Sequence, residues 1–142
     1  TVLVCATKGL EEGTLDTMTE VIAGEVAKAR PDVTPVTVAL SGPSHAEEVA
    51  LRGLDPADPR LTGATLYSSL EPCSSRSSRP HSCSELVLTW PIPRVVFAWR
   101  EPDLFVDCDG AERLSAAGRT VVEYPDLAQE VRDANTHLLR VW

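Results

Sequence analysis

TLYSSLEPCSSRSSRPHSCSELVLTW, residues 65–90, reads as a strand, then a polar loop, then a helix. Thr65 to Leu70 mixes β-branched, aromatic and apolar residues without a breaker, as a strand does. The run from Ser74 to Ser82 has the Ser-rich, Pro-containing composition of a loop. Ser82 and Glu85 then stand at capping-box spacing, so a helix starts near Cys83, and Pro91 and Pro93 end it after about two turns.

The same alternation extends in both directions. RVVFAWR (94–100) and TVVEY (120–124) are predicted strands, and the helical stretch between them, ending at Gly118, is long enough for a parallel crossover. A last helix begins near Leu127, with Leu127, Val131, Ala134 and Leu138 on one face. Upstream, Ser44 to Leu51 is a predicted helix, with Ser44 as N-cap, Glu47 closing a capping box and Gly53 just past its end. Val2 to Thr7 and Thr34 to Leu40 are predicted strands. Leu15, Met18, Ile22, Val26 and Ala29 place a helix between them, closed by Pro31. The sum is an alternating α/β chain with about five strands.

With 142 residues, 43% of them apolar and 24% charged, the expectation is a single domain spanning residues 1–142 with one packed core. The net charge of -8 repels a polyphosphate backbone, which disfavours nucleic acid as a partner. The longest apolar runs, Val2 to Ala6 and Val95 to Trp99, fall far short of the roughly 20 residues that span a bilayer. There is no basic start followed by a long apolar stretch, so cytoplasmic residence is expected. Four cysteines are too few and too irregularly spaced for a secreted disulfide framework, and they invite a metal reading.

His45 at a helix start, Cys73 after a strand and Cys83 at the next helix start form a competent set of three zinc ligands, leaving a fourth tetrahedral position for water. At the first helical position Cys83 would meet free backbone N–H groups and the positive end of the helix dipole, which favour a thiolate. Glu47, two residues beyond His45, can flank the same cavity from the first helical turn as a base rather than a ligand. Zinc moves the pKa of a bound water toward neutrality, and a nearby carboxylate can pass that proton to a ring nitrogen and a leaving amine. The chemistry so assembled is hydrolytic deamination. A local disulfide between Cys73 and Cys83 is the alternative use of the two sulfurs. Cys5, in an apolar strand, reads as core filling, and Cys108 as a free thiol.

These residues resemble the zinc-dependent cytidine-deaminase superfamily, with its His, its non-ligand Glu and its later Pro-Cys pair. Nine residues separate the two cysteines here, and TLYSSLEPCSSRSSRPHSC is similar to the deaminase domain of riboflavin biosynthesis, where Leu-Glu-Pro-Cys precedes a long loop and the second Cys. IPRVVFAWREPD and Asn135 in the last helix add to the likeness, which covers roughly residues 44–139. It implies the three-layer α/β cytidine deaminase-like fold, with a five-stranded mixed sheet and helices on both faces. It also implies Zn2+ on His45, Cys73 and Cys83, with Glu47 as proton shuttle. Arg79 stands where the family's basic residue approaches the ribose phosphate of the substrate. Arg76 stands where a loop His is usual, and His81 is a weaker third candidate for substrate contact.

The first forty residues depart from the family. Their strand-helix-strand order replaces a helix and a strand hairpin, and Asn135 is the only asparagine, so the usual ring-binding asparagine is absent. Zinc chemistry survives that change, whereas substrate identity is left open. From Glu71 to Arg100, four Arg against two Glu make a locally positive segment suited to a small anionic substrate such as a nucleotide monophosphate. The expected partners are therefore a small-molecule substrate and a second copy in a homodimer, with any reductase domain on a separate chain. Two rivals stand beside this reading. One is a deaminase of a free base, nucleoside or single strand; the other is a non-catalytic zinc-stabilised binding protein in which Cys108 or His81 closes the coordination sphere.

Overall fold

Five short segments pair side by side in the computed structural model, which describes residues 2–6, 28, 34–38, 44–77, 79–100 and 108–134. They are β1 (Val2–Ala6), β2 (Thr34–Val38), β3 (Thr65–Leu70), β4 (Arg94–Trp99) and β5 (Thr120–Glu123), and the sheet order is β2-β1-β3-β4-β5. Four helices follow the strands in sequence: α1 (Ala46–Arg52), α2 (Cys83–Leu88), α3 (Gly110–Ala116) and α4 (Ala128–Ala134). Residues Pro59–Gly63 and Pro125–Leu127 form 3-10 turns. The helix expected over Leu15 to Ala29 lies outside the described residues apart from Lys28, which is helical, and Asn135 and Leu138 also lie outside them.

Every strand pairing is parallel, with Val2 opposite Thr34, Leu3 opposite Thr65, Leu66 opposite Val95 and Val95 opposite Val121. The mixed sheet expected from the family likeness is thus corrected to a parallel one among the described residues. Strands β1 and β2 are parallel, and the 27 residues of 7–33 between them are length enough for the crossover that a parallel pair requires.

Strand alternation decides which side chains meet the helices. Leu66 of β3 and Val95 of β4 join Ala46, Ala50 and Leu51 of α1, Val87 of α2 and Leu114 of α3 in one buried cluster. Helices α1 and α2 pack on each other, as do α2 and α3, while α4 lies against β4. Ser68 shares the face of Leu66, so the one polar residue that β3 sends to that side is aimed at α1. Among the described residues no helix is long and apolar enough to cross a membrane.

The start of α1 differs from its expectation. The helix begins at Ala46 with His45 as the N-cap in extended conformation, and no side chain closes a cap there. Ser44 instead accepts a hydrogen bond from Arg79 Nη2 at 3.0 Å, and Glu47 points toward β3 and α2. At α2 the capping box does form: the Ser82 hydroxyl accepts from Glu85 N–H, and the Glu85 carboxylate accepts from Ser82 N–H.

Candidate active site

Three side chains separated by 10 to 38 residues in sequence meet where β3 ends and α1 and α2 begin. Cys73 follows β3, Cys83 is the first residue of α2 and His45 caps α1. Their ligand atoms all lie within 4.8 Å of one another, and among the described residues they are the one such group of His, Cys and carboxylate side chains. His45 Nδ1 is 3.6 Å from Cys73 Sγ and 3.4 Å from Cys83 Sγ. Tetrahedral bonds of about 2.3 Å to sulfur and about 2.0 Å to nitrogen place such atoms about 3.5 Å apart, so both nitrogen–sulfur distances match those of a zinc site. Cys73 and Cys83 are both unbridged and both buried. Neither Cys108 nor His81 joins the group.

Backbone donors fix the sulfurs. Cys83 N–H donates to Cys73 Sγ at 3.4 Å, and Ser84 N–H donates to the Cys73 carbonyl at 3.0 Å. The first two N–H groups of α2 therefore serve Cys73 rather than Cys83. Hydrogen bonding from the Cys83 thiol, which outweighs burial, together with His45, brings the Cys73 thiol down to about 4. Cys83 moves the opposite way, because its proton is shared with Cys73, burial opposes its charge and the Glu47 carboxylate repels a second anion.

Glu47 lies at the edge of this trio. It is 7% exposed, its Oε1 accepts from the Ser68 hydroxyl at 2.7 Å, and its Oε2 accepts from Cys83 Sγ at 3.4 Å. One oxygen is thus anchored by β3 while the other faces the ligand group. Glu48 turns to the loop instead. Its carboxylate pairs with Arg76 Nη1 at 2.9 Å, with Arg52 one helical turn on, and lies 3.9 Å from Arg79. Burial raises the Glu48 carboxyl, but the Arg76 hydrogen bond and the three guanidinium charges prevail and hold it below its ordinary value. Arg76 is 3% exposed, and its Nε and Nη2 are buried without a hydrogen-bond partner. Arg79 rests on Ser44, and His81 is 66% exposed at 4.0 Å from Glu85. The structure therefore gathers His45, Cys73, Cys83 and Glu47, brings Arg76 and Arg79 to the neighbouring Glu48, and leaves His81 apart.

Sequence reasoning missed the parts played by Ser68 and Glu48. Ser68 was findable from strand alternation, since it shares the parity of buried Leu66. The pairing of Glu48 depends on which segments meet in space.

Comparison with known proteins divides the chain. A diaminohydroxyphosphoribosylamino-pyrimidine deaminase of Schizosaccharomyces pombe is 42% identical over 85 residues, covering 58% of this chain and 21% of that protein. A crystal structure of a diaminohydroxyphosphoribosylaminopyrimidine deaminase/5-amino-6-(5-phosphoribosylamino)uracil reductase from Thermotoga maritima is 33% identical, with a TM-score of 0.56 over 67% of this chain and 26% of that one. Acinetobacter baumannii RibD is 30% identical, with a TM-score of 0.57 over 68% of this chain and 26% of its own. Over about three fifths to two thirds of its length the chain is thus similar to deaminases of riboflavin biosynthesis. It spans about a fifth to a quarter of the length of these deaminase relatives.

Residues 1–55 also match the family model described as the N-terminus of NAD-dependent glycerol-3-phosphate dehydrogenase. In line with that, a glycerol-3-phosphate dehydrogenase of Fusobacterium nucleatum is 52% identical over 48 residues, 34% of this chain and 13% of that protein. The sequence reading did not identify this second likeness; its signal was the strand-helix-strand opening that departs from the deaminase pattern. His45 and Glu47 fall within the dehydrogenase match, while Cys73 and Cys83 lie beyond it.

Proposed function

We propose that this chain is a zinc-dependent hydrolytic deaminase of a small amino-heterocycle, an aminopyrimidine or pyrimidine nucleotide of the riboflavin-pathway type. In this reading residues 1–142 form a single cytoplasmic three-layer domain, with helices on both sheet faces, that works as a homodimer. The observation that carries the reaction is the meeting of His45, Cys73 and Cys83 with a Glu47 oxygen 3.4 Å from the Cys83 sulfur. The named activity of the deaminase relatives supports the same reaction class. We take the reaction from this trio rather than from the dehydrogenase match, because His45 and Glu47 direct their side chains at cysteines outside that match.

His45, Cys73 and Cys83 would hold the zinc, which when bound supplies a water that ionises near neutral pH. Glu47 removes the proton from the attacking water and returns it to the ring nitrogen next to the amine-bearing carbon. It then takes the second proton, from the hydroxyl now attached to that carbon, and delivers it to the departing amine, so that the C–N bond breaks, ammonia leaves and the new oxygen comes from water. Ser68 holds Glu47 Oε1 through both transfers, leaving Oε2 to face the reacting atoms. Arg79 and Arg76 are the proposed contacts for an anionic substituent of the substrate, with His81 at the loop margin. Arg76 keeps two buried donors, Nε and Nη2, for such a group.

An ammonia-release screen across aminopyrimidines, nucleosides and nucleotides, run alongside metal analysis, tests the proposal. The expected result is bound zinc and ammonia release from an aminopyrimidine or its nucleotide. Release only from nucleosides, free bases or single strands would move the substrate to the rival deaminase class, and zinc without release from any substrate would favour the binding protein.

A further inference from the structure

We propose that Glu71 and Gly110 form a latch that positions the Cys73 sulfur, by docking the start of α3 onto residues 71–74. The inference rests on the metal reading above and extends it to two residues that touch neither metal nor substrate.

Cys73 lies just past the end of β3, where Glu71 N–H donates to the Trp99 carbonyl at 2.9 Å. Three consecutive residues at the start of α3 grip that stretch on either side of the cysteine. Asp109 N–H donates to Ser74 Oγ at 3.1 Å, and Ala111 N–H donates to Glu71 Oε1 at 2.8 Å. Between them Gly110 lies so close to Pro72 that a Cβ there would stand 1.8 Å from the Pro72 carbonyl oxygen. No side chain fits in that gap without moving the backbone next to Cys73. Glu71 is only 2% exposed, and Arg100 Nη1 lies 3.8 Å from the same oxygen.

The other side of Cys73 is held by α2, through the N–H groups of Cys83 and Ser84. The cysteine is therefore clamped between two helix starts, one of which also supplies the second sulfur. Ligand positions matter at about the 0.2 Å scale, and partners behind the ligands typically change metal affinity about 10- to 100-fold. The latch to α3 adds restraint at residues 71, 72 and 74, directly beside the cysteine. It makes Glu71 and Gly110 positioning residues for the metal centre.

The test is titration of the full chain with Co2+, followed by its visible ligand-field bands and its thiolate-to-cobalt absorption, with thermal melts of the same samples. Glu71→Ala and Gly110→Ala should weaken Co2+ binding about 10- to 100-fold and alter the band pattern. Glu71→Gln should bind nearly as the unsubstituted protein does, because the amide oxygen can still accept from Ala111 N–H. Leu114→Ala, in the buried face of the same helix but away from residues 71–74, should lower the melting temperature and leave Co2+ binding intact. Should Glu71→Ala fail to fold, Ser74→Ala removes only the Asp109 tie and should give a smaller loss of affinity. Unchanged affinity and spectra in the Glu71, Gly110 and Ser74 variants, or a loss matched by Leu114→Ala, overturns the latch while the metal reading stands. Absence of any Co2+ binding by the unsubstituted chain overturns both.

Discussion

Glu47 reaches two elements from the first turn of α1, and its two oxygens have different tasks. Glu47→Gln keeps the size and the bond from Ser68 but cannot carry a proton. Turnover should therefore fall by at least about 100-fold while zinc content is retained, as judged by ammonia release and metal analysis of the same preparation. Loss of zinc with activity unchanged would contradict the assignment. Ser68→Ala leaves the carboxylate in place but frees its orientation, and kcat should drop by about tenfold with KM little changed. Glu48 is a stability residue by contrast. It is 6% exposed and faces an Arg76 that is 3% exposed, so Glu48→Gln strands a buried guanidinium at a cost of about 3 kcal/mol near neutral pH, measurable by urea unfolding. Because the folded carboxyl titrates below the ordinary 4.5, its stabilisation is complete above 4.5 and is lost as pH falls through the lower folded value. The gap between the two proteins should thus narrow on acidification below 4.5 and be constant above it.

At the scale of elements, what could be read in advance was whatever depends on local spacing. β3 covers Thr65–Leu70 as its composition indicates, and α2 starts at Cys83 because Ser82 and Glu85 close a reciprocal cap. Ser44 and Glu47 have the same spacing, yet α1 is capped by His45, because Arg79 claims the Ser44 hydroxyl and Ser68 and Cys83 claim Glu47. A capping box is a local bargain, and at α1 tertiary partners outbid it. The trio of His45, Cys73 and Cys83 was legible because helix starts and strand ends are marked by short patterns. That the Cys83 N–H would donate to the Cys73 sulfur was not, since it depends on where the two segments meet in space. Likewise nothing in the string DCDG foretells that Gly110 will touch Pro72.

For the whole molecule, direction of pairing was the feature the family likeness misdirected. The sheet order places β1 between β2 and β3, and β1 is parallel to both. All five strands therefore end on the same side, the side at which Cys73 leaves β3. A metal shared by α1, α2 and the end of β3 ties three parts of the chain together, so its removal should loosen the fold as well as stop turnover. With free zinc 100-fold above its Kd, the metal adds about 2.7 kcal/mol. Chelation should thus lower Tm by several degrees, and Cys73→Ser should make Tm insensitive to chelator.

The contact between Gly110 and Pro72 also has an evolutionary reading. A library randomised at position 110 and sorted for folded protein would return glycine, and sorting for catalysis would return the same answer, because the clash is with main chain whatever the substrate. Position 76 behaves differently: its guanidinium answers to Glu48 on one edge and has donors to spare on the other, so the two sorts would diverge there. New substrate preferences would accordingly arise on the Ser-rich loop, while the hinge behind Cys73 stays frozen.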